Sequence, residues 1–267
     1  VQAALRLKQG SEPRLHLGYN FANADVRFVP TLPPIQSGSG YANIDGPSYT
    51  MVLSKGSVTP PQGGQIDVAG SVFAIPDVTT KPAIAQITLH TKSSLTAALS
   101  LLDQPPFHFL TKADQPVTLG EGTAVIDTKL RLPLQKKILL PDVEYTVAGT
   151  LTDVTSSTLV PGRKLSPPKL LVAVTPPGLK ISGKGKIGTV PFDVQYNQSF
   201  AQAEKGKARI KGSVTLSQNT AQEFGLGLPA GMVSGLGQGD VTINLHRGQP
   251  SKLSLSSDLA GIGLTIP

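Results

Sequence analysis

One pattern constrains the fold of this chain more than any other. Apolar and polar residues alternate in short runs that end at glycine and proline, and the stretch from Gly38 to Asp77 shows it best. A first run ends at Gly46-Pro47, a second is centred on Val52, and a third follows the turn Pro60-Pro-Gln-Gly-Gly64. Alternation with a period of two, bounded by turn residues, predicts half-buried strands in an antiparallel meander.

The same alternation continues to the end of the chain and predicts about fifteen strands, each with one apolar side. These strands make the expected fold mainly β, and their apolar side is the candidate functional surface. The residues expected to face inward on it are Ile44, Met51, Leu53, Ile66, Val68, Leu130, Leu132, Val143, Tyr145, Val147, Leu170, Val172, Val174, Phe192 and Val194.

Two or three short helices interrupt the strands. Leucines spaced four and three residues apart predict a helix of about ten residues, capped by Ser93 or Ser94 and ended by Pro105-Pro106. Its apolar side should lie on the sheet or plug one end of it. Thr220-Ala-Gln-Glu223 fits a capping box and predicts a second short helix. One helical turn is expected between Asn23 and Pro30, and a turn between two strands at Gly10-Ser-Glu-Pro13.

The composition agrees with many turns and with a hydrophobic core that has few large side chains. The chain of 267 residues holds 28 glycines and 23 prolines but no tryptophan and only two methionines. Glycine and proline are the residues that tight turns require, which explains their number without disorder. Cysteine is absent, which excludes disulfides, thiolate metal sites and cysteine catalysis.

The net charge of +7 is a mild basic bias that is compatible with an anionic membrane or nucleic acid as a partner. The basic residues are dispersed. The densest group is Lys180, Lys184 and Lys186, followed by a set from Lys205 to Lys211 that alternates with small and apolar residues. This second set describes the solvent-facing side of a strand. No exposed aromatic residues are interleaved with it, which argues against a nucleic-acid stacking platform.

Residues for bond-making chemistry are missing. Gly38-Ser-Gly40 lacks the third glycine of a dinucleotide fingerprint and precedes a strand. The four histidines lie far apart, with no second ligand at helical spacing, and there is no Gly-x-Ser-x-Gly motif. Nothing selects a carboxylate pair for glycoside chemistry, so an enzyme acting on envelope glycans ranks third among the hypotheses. We therefore expect a non-enzymatic protein without metal or cofactor.

A short pattern occurs three times along the chain. Gly-x-Gly-x-(Ala/Val)-x-Ile-(Asp/Asn) is found at Gly38–Asp45, Gly120–Asp127 and Gly237–Asn244. Repetition predicts one continuous sheet region built from similar units, with possible sub-units 1–105, 106–200 and 201–267. The apolar face of such a sheet needs cover. Either it folds on itself as a closed sandwich, which patterning alone favours, or it curls and leaves an apolar groove.

Several motifs resemble a known family when they are taken in order. They are Leu32-Pro-Pro-Ile35 with Gly38-Ser-Gly-Tyr-Ala42, Gly63-Gly-Gln-Ile-Asp-Val-Ala-Gly-Ser71 with Phe73-Ala-Ile-Pro-Asp77, Leu99-Ser-Leu-Leu-Asp103 with Pro105-Pro106, and Ser257-Asp-Leu-Ala-Gly261. Together they are similar to the repeat region of the AsmA-like proteins, in the YhdP-like branch, of the Gram-negative cell envelope. The resemblance spans most of the chain.

The resemblance implies an extended, twisted and curved antiparallel sheet, folded like a taco around an apolar groove. It implies a periplasmic location, an inner-membrane anchor outside these 267 residues, and phospholipid transport between inner and outer membranes. Envelope or outer-membrane proteins are further expected partners. Both ends of the chain look like cuts, so we expect an internal section of a longer polypeptide. The competing hypothesis is a structural or adhesive β-domain with a closed core and no ligand.

Overall fold

The computed structural model describes residues 2–6, 14–27, 30–229 and 231–265. The protein is mainly β, with 55% of its residues in strands and 9% in helices, and its main feature is a large antiparallel sheet. The expected fold class, a mainly β protein on a large antiparallel sheet with two or three short helices, is confirmed. The turn expected at Gly10-Ser-Glu-Pro13 lies outside the described residues.

Seventeen strands follow one another along the described chain. Their bounds are β1 (Gln2–Arg6), β2 (Arg14–Val26), β3 (Ile35–Asp45), β4 (Ser48–Val58), β5 (Ile66–Asp67), β6 (Val72–Ile75), β7 (Ile84–Ser94), β8 (Glu121–Pro133), β9 (Glu144–Thr155), β10 (Lys169–Thr175), β11 (Gly178–Ile187), β12 (Val190–Ser199), β13 (Lys207–Leu216), β14 (Val233–Gly235), β15 (Gly237–His246), β16 (Lys252–Ser256) and β17 (Ile262–Leu264). The helices are α1 (Leu95–Leu102), α2 (Phe109–Lys112) and α3 (Gln218–Glu223), with single 3-10 turns at Leu140–Asp142 and Gln202–Glu204.

Strand order in the sheet follows chain order almost throughout. The path is β1-β2-β3-β4-β5-β7-β8-β9-β10-β11-β12-β13-β15-β16, and β6 pairs with β4 and β7 beside β5. With β6 the sheet has 15 strands, and β14 and β17 form a separate two-stranded ribbon. Consecutive strands can pair this way because short turns such as Gly46-Pro47, with Gly46 at φ +56°, reverse the chain directly.

The third run of the opening meander differs from the prediction. It is not one strand, because residues 68–71 leave the ladder between β5 and β6. Gly70 adopts a φ of +86°, a left-handed conformation that an extended strand does not have, and Ser71 is buried. Each half still pairs with β4: Ile66 lies opposite Val58, and Phe73 lies opposite Met51.

Helix α1 forms where the leucine spacing predicts it and lies on the sheet. Ser94 is the cap: its Oγ accepts a hydrogen bond from the amide of Ala97. Ala97 is fully buried in a cluster with Leu53, Val58, Ile66 and Val68, and partly buried residues Phe21, Ile35 and Leu101 pack against it. The helix ends at its C-cap, Asp103, just before the prolines.

Two predictions of local structure are wrong. The turn expected from Asn23 is instead the end of β2, where Asn23 takes a φ of +52° at an irregularity in the pairing with β3. A residue that tolerates the left-handed region thus marks a bulge here, not a helix cap. In the third helix Ser217, not Thr220, is the cap, and Thr220 lies buried inside the helix. Sequence reasoning also did not find α2.

The chain divides into two compact units. Unit 1 comprises residues 1–117 and 124–149, and unit 2 comprises residues 118–123 and 150–267. The three sub-units expected from the repeats stay a prediction. Of the helices in the described ranges, none has the length and apolar character needed to cross a membrane.

Candidate functional site

The pairing register separates the two faces of the sheet in unit 2. Residues directly opposite each other in an antiparallel ladder point to the same side. One lateral row crosses six strands, from β10 to β16, and every member of it is aliphatic or aromatic. Its members are, in order, Val172, Ile181, Tyr196, Ile210, Ile243 and Leu253. We call this side of the strands the apolar face of unit 2.

A neighbouring row on the same face contains glycines. It starts at Gly183 and continues through Val194, Gly212 and Val241 to Leu255. The place of a β-carbon at Gly183 is taken by the Leu170 side chain and the Lys169 backbone, and the place at Gly212 by the backbone of β12. The strands therefore pack closely along this row, and Val241 in it is buried.

Unit 1 has an apolar face of the same kind. Tyr19, Ala42, Met51, Phe73 and Ile87 lie opposite one another across five strands, β2, β3, β4, β6 and β7. The next row along joins Leu17, Ile44, Tyr49 and Ile75. In β8 and β9 the inward positions alternate with exposed charged or polar neighbours such as Lys129, Arg131 and Glu144.

None of the fifteen predicted inward residues is exposed. Thirteen of them lie in strands, whereas Val68 lies between β5 and β6 and Val143 lies just before β9. Four are buried, and three of these, Leu53, Ile66 and Val68, belong to the cluster under α1; Phe192 is the fourth. Since protein atoms already cover these four, they supply closed core and not open surface. The remaining eleven are half-buried: Ile44, Met51, Leu130, Leu132, Val143, Tyr145, Val147, Leu170, Val172, Val174 and Val194.

Short helices lie against both units. In unit 1, α1 covers the end of the apolar face that holds Leu53 and Val58. In unit 2, α3 contacts β12, β13 and β14, and its Ala221 is buried, as are Val190 and Phe192 of β12. Away from the helices the faces are only half-covered, as the rows through Met51 and Ile181 show.

Two tyrosines meet on the apolar face of unit 1. The hydroxyls of Tyr19 and Tyr49 are 3.2 Å apart, and the ring of Phe73 packs edge-on against Tyr49 with centroids 6.2 Å apart. Burial, together with the hydrogen bond and the charge of the neighbouring Tyr19, raises the pKa of Tyr49 to about 12. Burial also raises the pKa of Tyr196 in unit 2. Both phenols are therefore neutral at physiological pH, and they bring no charge to the apolar faces.

The opposite face is polar. In unit 2 it carries Lys180, Lys184 and Lys186 on β11 and Lys207, Arg209 and Lys211 on β13, all exposed. On β13 these residues alternate with half-buried Ala208 and Ile210, which confirms the predicted solvent-facing side of a strand.

The repeated glycine pattern begins inside β3, just before β8 and at the first residue of β15. Gly38, Gly120 and Gly237 are buried in all three copies, and the residue four positions later, Ala42, Ala124 or Val241, is buried as well. A β-carbon at Gly38 or Gly122 would press on backbone oxygens of neighbouring strands, and one at Gly239 would press on leucine side chains. The three short matches thus share close packing of the glycine and of the residue four positions later.

Several residues of the apolar faces were not among the predicted candidates. The most central are Ile181, Tyr196, Ile210 and Ile243 in unit 2 and Tyr19 and Phe73 in unit 1. They stand in alternating runs of their own, so the signal was present in the sequence. What the sequence lacks is the register that aligns them with Val172 and Met51.

Unit 2 also contains a surface depression. It is open to solvent, encloses about 390 Å³ and is lined by Thr215, Leu236, Gly237, Gln238, Asp258 and Ala260. None of the predicted candidates lines it. Comparison of the chain with family models, curated proteins and solved structures finds no match.

Proposed function

We propose that this protein is a non-enzymatic lipid-binding section, whose apolar sheet faces hold the acyl chains of phospholipids. The observation that carries the proposal is the row from Val172 through Ile210 to Leu253. It is continuous and uncharged, yet its members are half-buried or, for Leu253, 62% exposed. Aliphatic residues that form a closed core are mostly fully buried. A wide aliphatic surface left partly open is typical of a binding surface.

The chemistry of the rows suits flexible chains. Aliphatic side chains in continuous rows give a surface without charges, along which an acyl chain can lie in several positions. Each CH2 group removed from water contributes roughly 0.8 kcal/mol. A chain that is only partly enclosed is therefore held by several kcal/mol, tightly enough to bind and loosely enough to leave.

The motifs that resemble AsmA-like proteins support a more specific proposal. Bound phospholipids would move between the inner and outer membranes, with the protein in the periplasm. A closed structural domain without a ligand is the alternative against which the experiment below is designed.

The test combines extraction with site-specific crosslinking. The purified protein is extracted with organic solvent, and the extract is analysed by mass spectrometry for phospholipid. A benzophenone amino acid is placed at position 172, on the apolar face, and in a matched variant at position 173, where Ala173 is exposed on the polar face. Tyr145 and its exposed neighbour Thr146 form a second matched pair in unit 1.

We expect phospholipid in the extract. When the purified protein is irradiated in the absence of vesicles, we expect a lipid adduct from positions 172 and 145 but not from 173 and 146. Circular dichroism verifies that each variant keeps its β structure. Lipid-free protein whose inward probes react only with protein atoms would show a closed core and overturn the proposal.

A further inference from the structure

The polar face of unit 2 concentrates positive charge. Strands β10, β11, β12, β13, β15 and β16 carry eight basic residues and only two acidic ones, Asp193 and Asp240, and all ten are exposed. The register puts every one of them on the side opposite the apolar face. The basic residues are Lys169, Lys180, Lys184, Lys186, Lys207, Arg209, Lys211 and Lys252.

The charges are spread in two dimensions. One lateral row alternates basic and amide side chains: Lys180, Asn197, Arg209, Asn244 and Lys252 lie opposite one another in turn. Strands are about 4.8 Å apart, so successive basic groups in this row stand about 10 Å apart. The six strands together span roughly 24 Å across the face by the same spacing.

Few of these charges are neutralised by the protein itself. Lys184 Nζ lies 3.3 Å from a carboxylate oxygen of Asp193, and Lys207 Nζ lies 3.4 Å from a carboxylate oxygen of Glu204. Arg209 Nε donates to the amide oxygen of Asn244. Within the described ranges no carboxylate is within ion-pair distance of Lys180, Lys211 or Lys252. The positive field of this face is therefore available to an external anion.

Unit 1 shows the contrast. On its polar face basic groups meet carboxylates across the strands: Arg131 pairs with Glu144 at 2.9 Å, and His90 with Asp127 at 2.7 Å. With eight basic and two acidic residues, the polar face of unit 2 has a net charge of +6, whereas the whole chain has a net charge of +7.

We propose that this polar face of unit 2 docks onto the headgroups of an anionic lipid bilayer. A flat array of separated lysines matches a surface of phosphate groups, and polybasic segments bind such surfaces by electrostatic attraction. Leu171, 52% exposed and opposite Ser182, is the one large aliphatic side chain in the array and adds an apolar contact. None of the strand residues that form the face is Phe, Tyr or Trp, so the stacking contacts of single-stranded nucleic acid binding are missing.

The two surfaces of unit 2 meet at strand β16. Lys252 belongs to the polar face, whereas Leu253 and Leu255, 62% and 50% exposed, end the rows of the apolar face. Docking through one face leaves the other open. The docking proposal does not depend on acyl-chain binding, and each can fail without the other.

The test measures binding of the intact chain to vesicles by co-sedimentation. Vesicles of phosphatidylcholine alone are compared with vesicles that also contain phosphatidylglycerol. We expect binding to the anionic vesicles only, and release when salt is raised from about 0.05 M to about 0.5 M, because exposed charges are screened over a few ångströms at high salt.

A charge-reversal variant assigns the face. In Lys180→Glu/Lys211→Glu/Lys252→Glu we expect vesicle affinity to fall about a hundredfold or more, since each basic group near an anionic surface contributes about a fivefold factor. The matched control is Lys55→Glu/Lys92→Glu/Lys129→Glu, which makes the same change in net charge at exposed positions of unit 1. Equal losses in both variants would mean that only overall charge matters and would overturn the proposal.

Two further measurements separate the alternatives. Leu171→Ser should weaken vesicle binding and leave binding to a single-stranded oligonucleotide unchanged. Tighter, salt-sensitive binding to the oligonucleotide than to anionic vesicles would assign the face to nucleic acid and overturn the bilayer proposal. The lipid crosslink from position 172 should survive in the Lys180, Lys211 and Lys252 variant, which separates loss of docking from loss of acyl-chain binding.

Discussion

The backbone of Gly63 lies directly against Ala97 in the first turn of α1, without room for a side chain between them. Gly63 has a φ of +88°, and its carbonyl oxygen accepts a hydrogen bond of 2.7 Å from the hydroxyl of Ser94, the residue that caps the helix. One glycine therefore joins the loop after β4 to the helix that covers one end of the apolar face in unit 1.

This relationship predicts unequal effects for two adjacent glycines. Gly64 has nearly the same φ, +86°, but nothing within 4 Å of the place of a β-carbon. Gly64→Ala should lower the free energy of unfolding only by the strain of an alanine in a left-handed conformation, about 1–2 kcal/mol. Gly63→Ala should lower it by at least about 2 kcal/mol more, because the new methyl group also displaces α1. Urea unfolding followed by circular dichroism measures both, and equal costs would show that the helix does not rest on Gly63.

A second pair of glycines occupies equivalent places in the repeated pattern. A β-carbon on Gly40 would meet the backbone oxygen of Val52, which cannot move without breaking the ladder. At Gly239 the nearest atoms, 2.9 Å and 3.2 Å away, are the ends of the Leu255 and Leu216 side chains. We expect Gly40→Ala to lower the free energy of unfolding by more than about 3 kcal/mol and Gly239→Ala to lower it by less than about 1 kcal/mol. The reverse order in urea unfolding would contradict the close packing described for β3.

The tyrosine pair predicts a loss of stability at high pH. The pKa of Tyr49 is raised to about 12 by burial and by Tyr19, so the neutral phenol is favoured in the folded state. This contribution is complete below pH 10 and is lost as pH rises from 10 towards 12. Absorbance at the phenolate band should show the late titration of Tyr49, and Tyr196, whose pKa is also raised by burial, is removed from the signal by Tyr196→Phe. In that background Tyr19→Phe should shift the late titration to lower pH, and an unchanged titration would exclude the coupling.

A contact between the end of α1 and α2 leads us to predict a local loss of stability at low pH. The Asp103 carboxylate accepts bonds from the amide and hydroxyl of Thr111, at 2.8 and 2.7 Å, and these bonds lower its pKa. Because the pKa is lowered in the folded state, the ionised carboxylate stabilises the folded segment at pH values above 3.8, the usual pKa of this group. This stabilisation is lost as pH falls through the lowered pKa. The amide proton signal of Thr111 in NMR spectra should therefore titrate with a midpoint below 3.8. In Asp103→Asn this titration should be absent, and a midpoint at or above the usual value would contradict the contact.

Much of the candidate surface could be predicted from alternation alone. Val172 and Leu130 are half-buried between exposed neighbours, as their spacing predicts, because side chains in an extended backbone point alternately to opposite faces. The lysines of β13 follow from the same rule. Local capping chemistry likewise predicted Ser94 as a possible helix start.

Other features depended on contacts that the local pattern does not contain. Leu53 and Val172 alternate in the same way, yet Leu53 is buried under α1, and Val172 is only half-buried. The break between β5 and β6 and the bulge at Asn23 depend on how each strand fits its neighbours. The concentration of positive charge likewise appears only when β10 to β16 are aligned side by side.

Alternation along the chain is enough to predict many short strands with one apolar and one polar side, because the period of a strand is a property of the extended backbone. Tertiary contacts are needed to establish which apolar residues are covered and which are left partly open. Coverage depends on where α1 and α3 come to rest and on which strands pair, and those contacts join residues far apart in the chain. The same strands thus supply closed core beneath Ala97 and open aliphatic surface around Ile210.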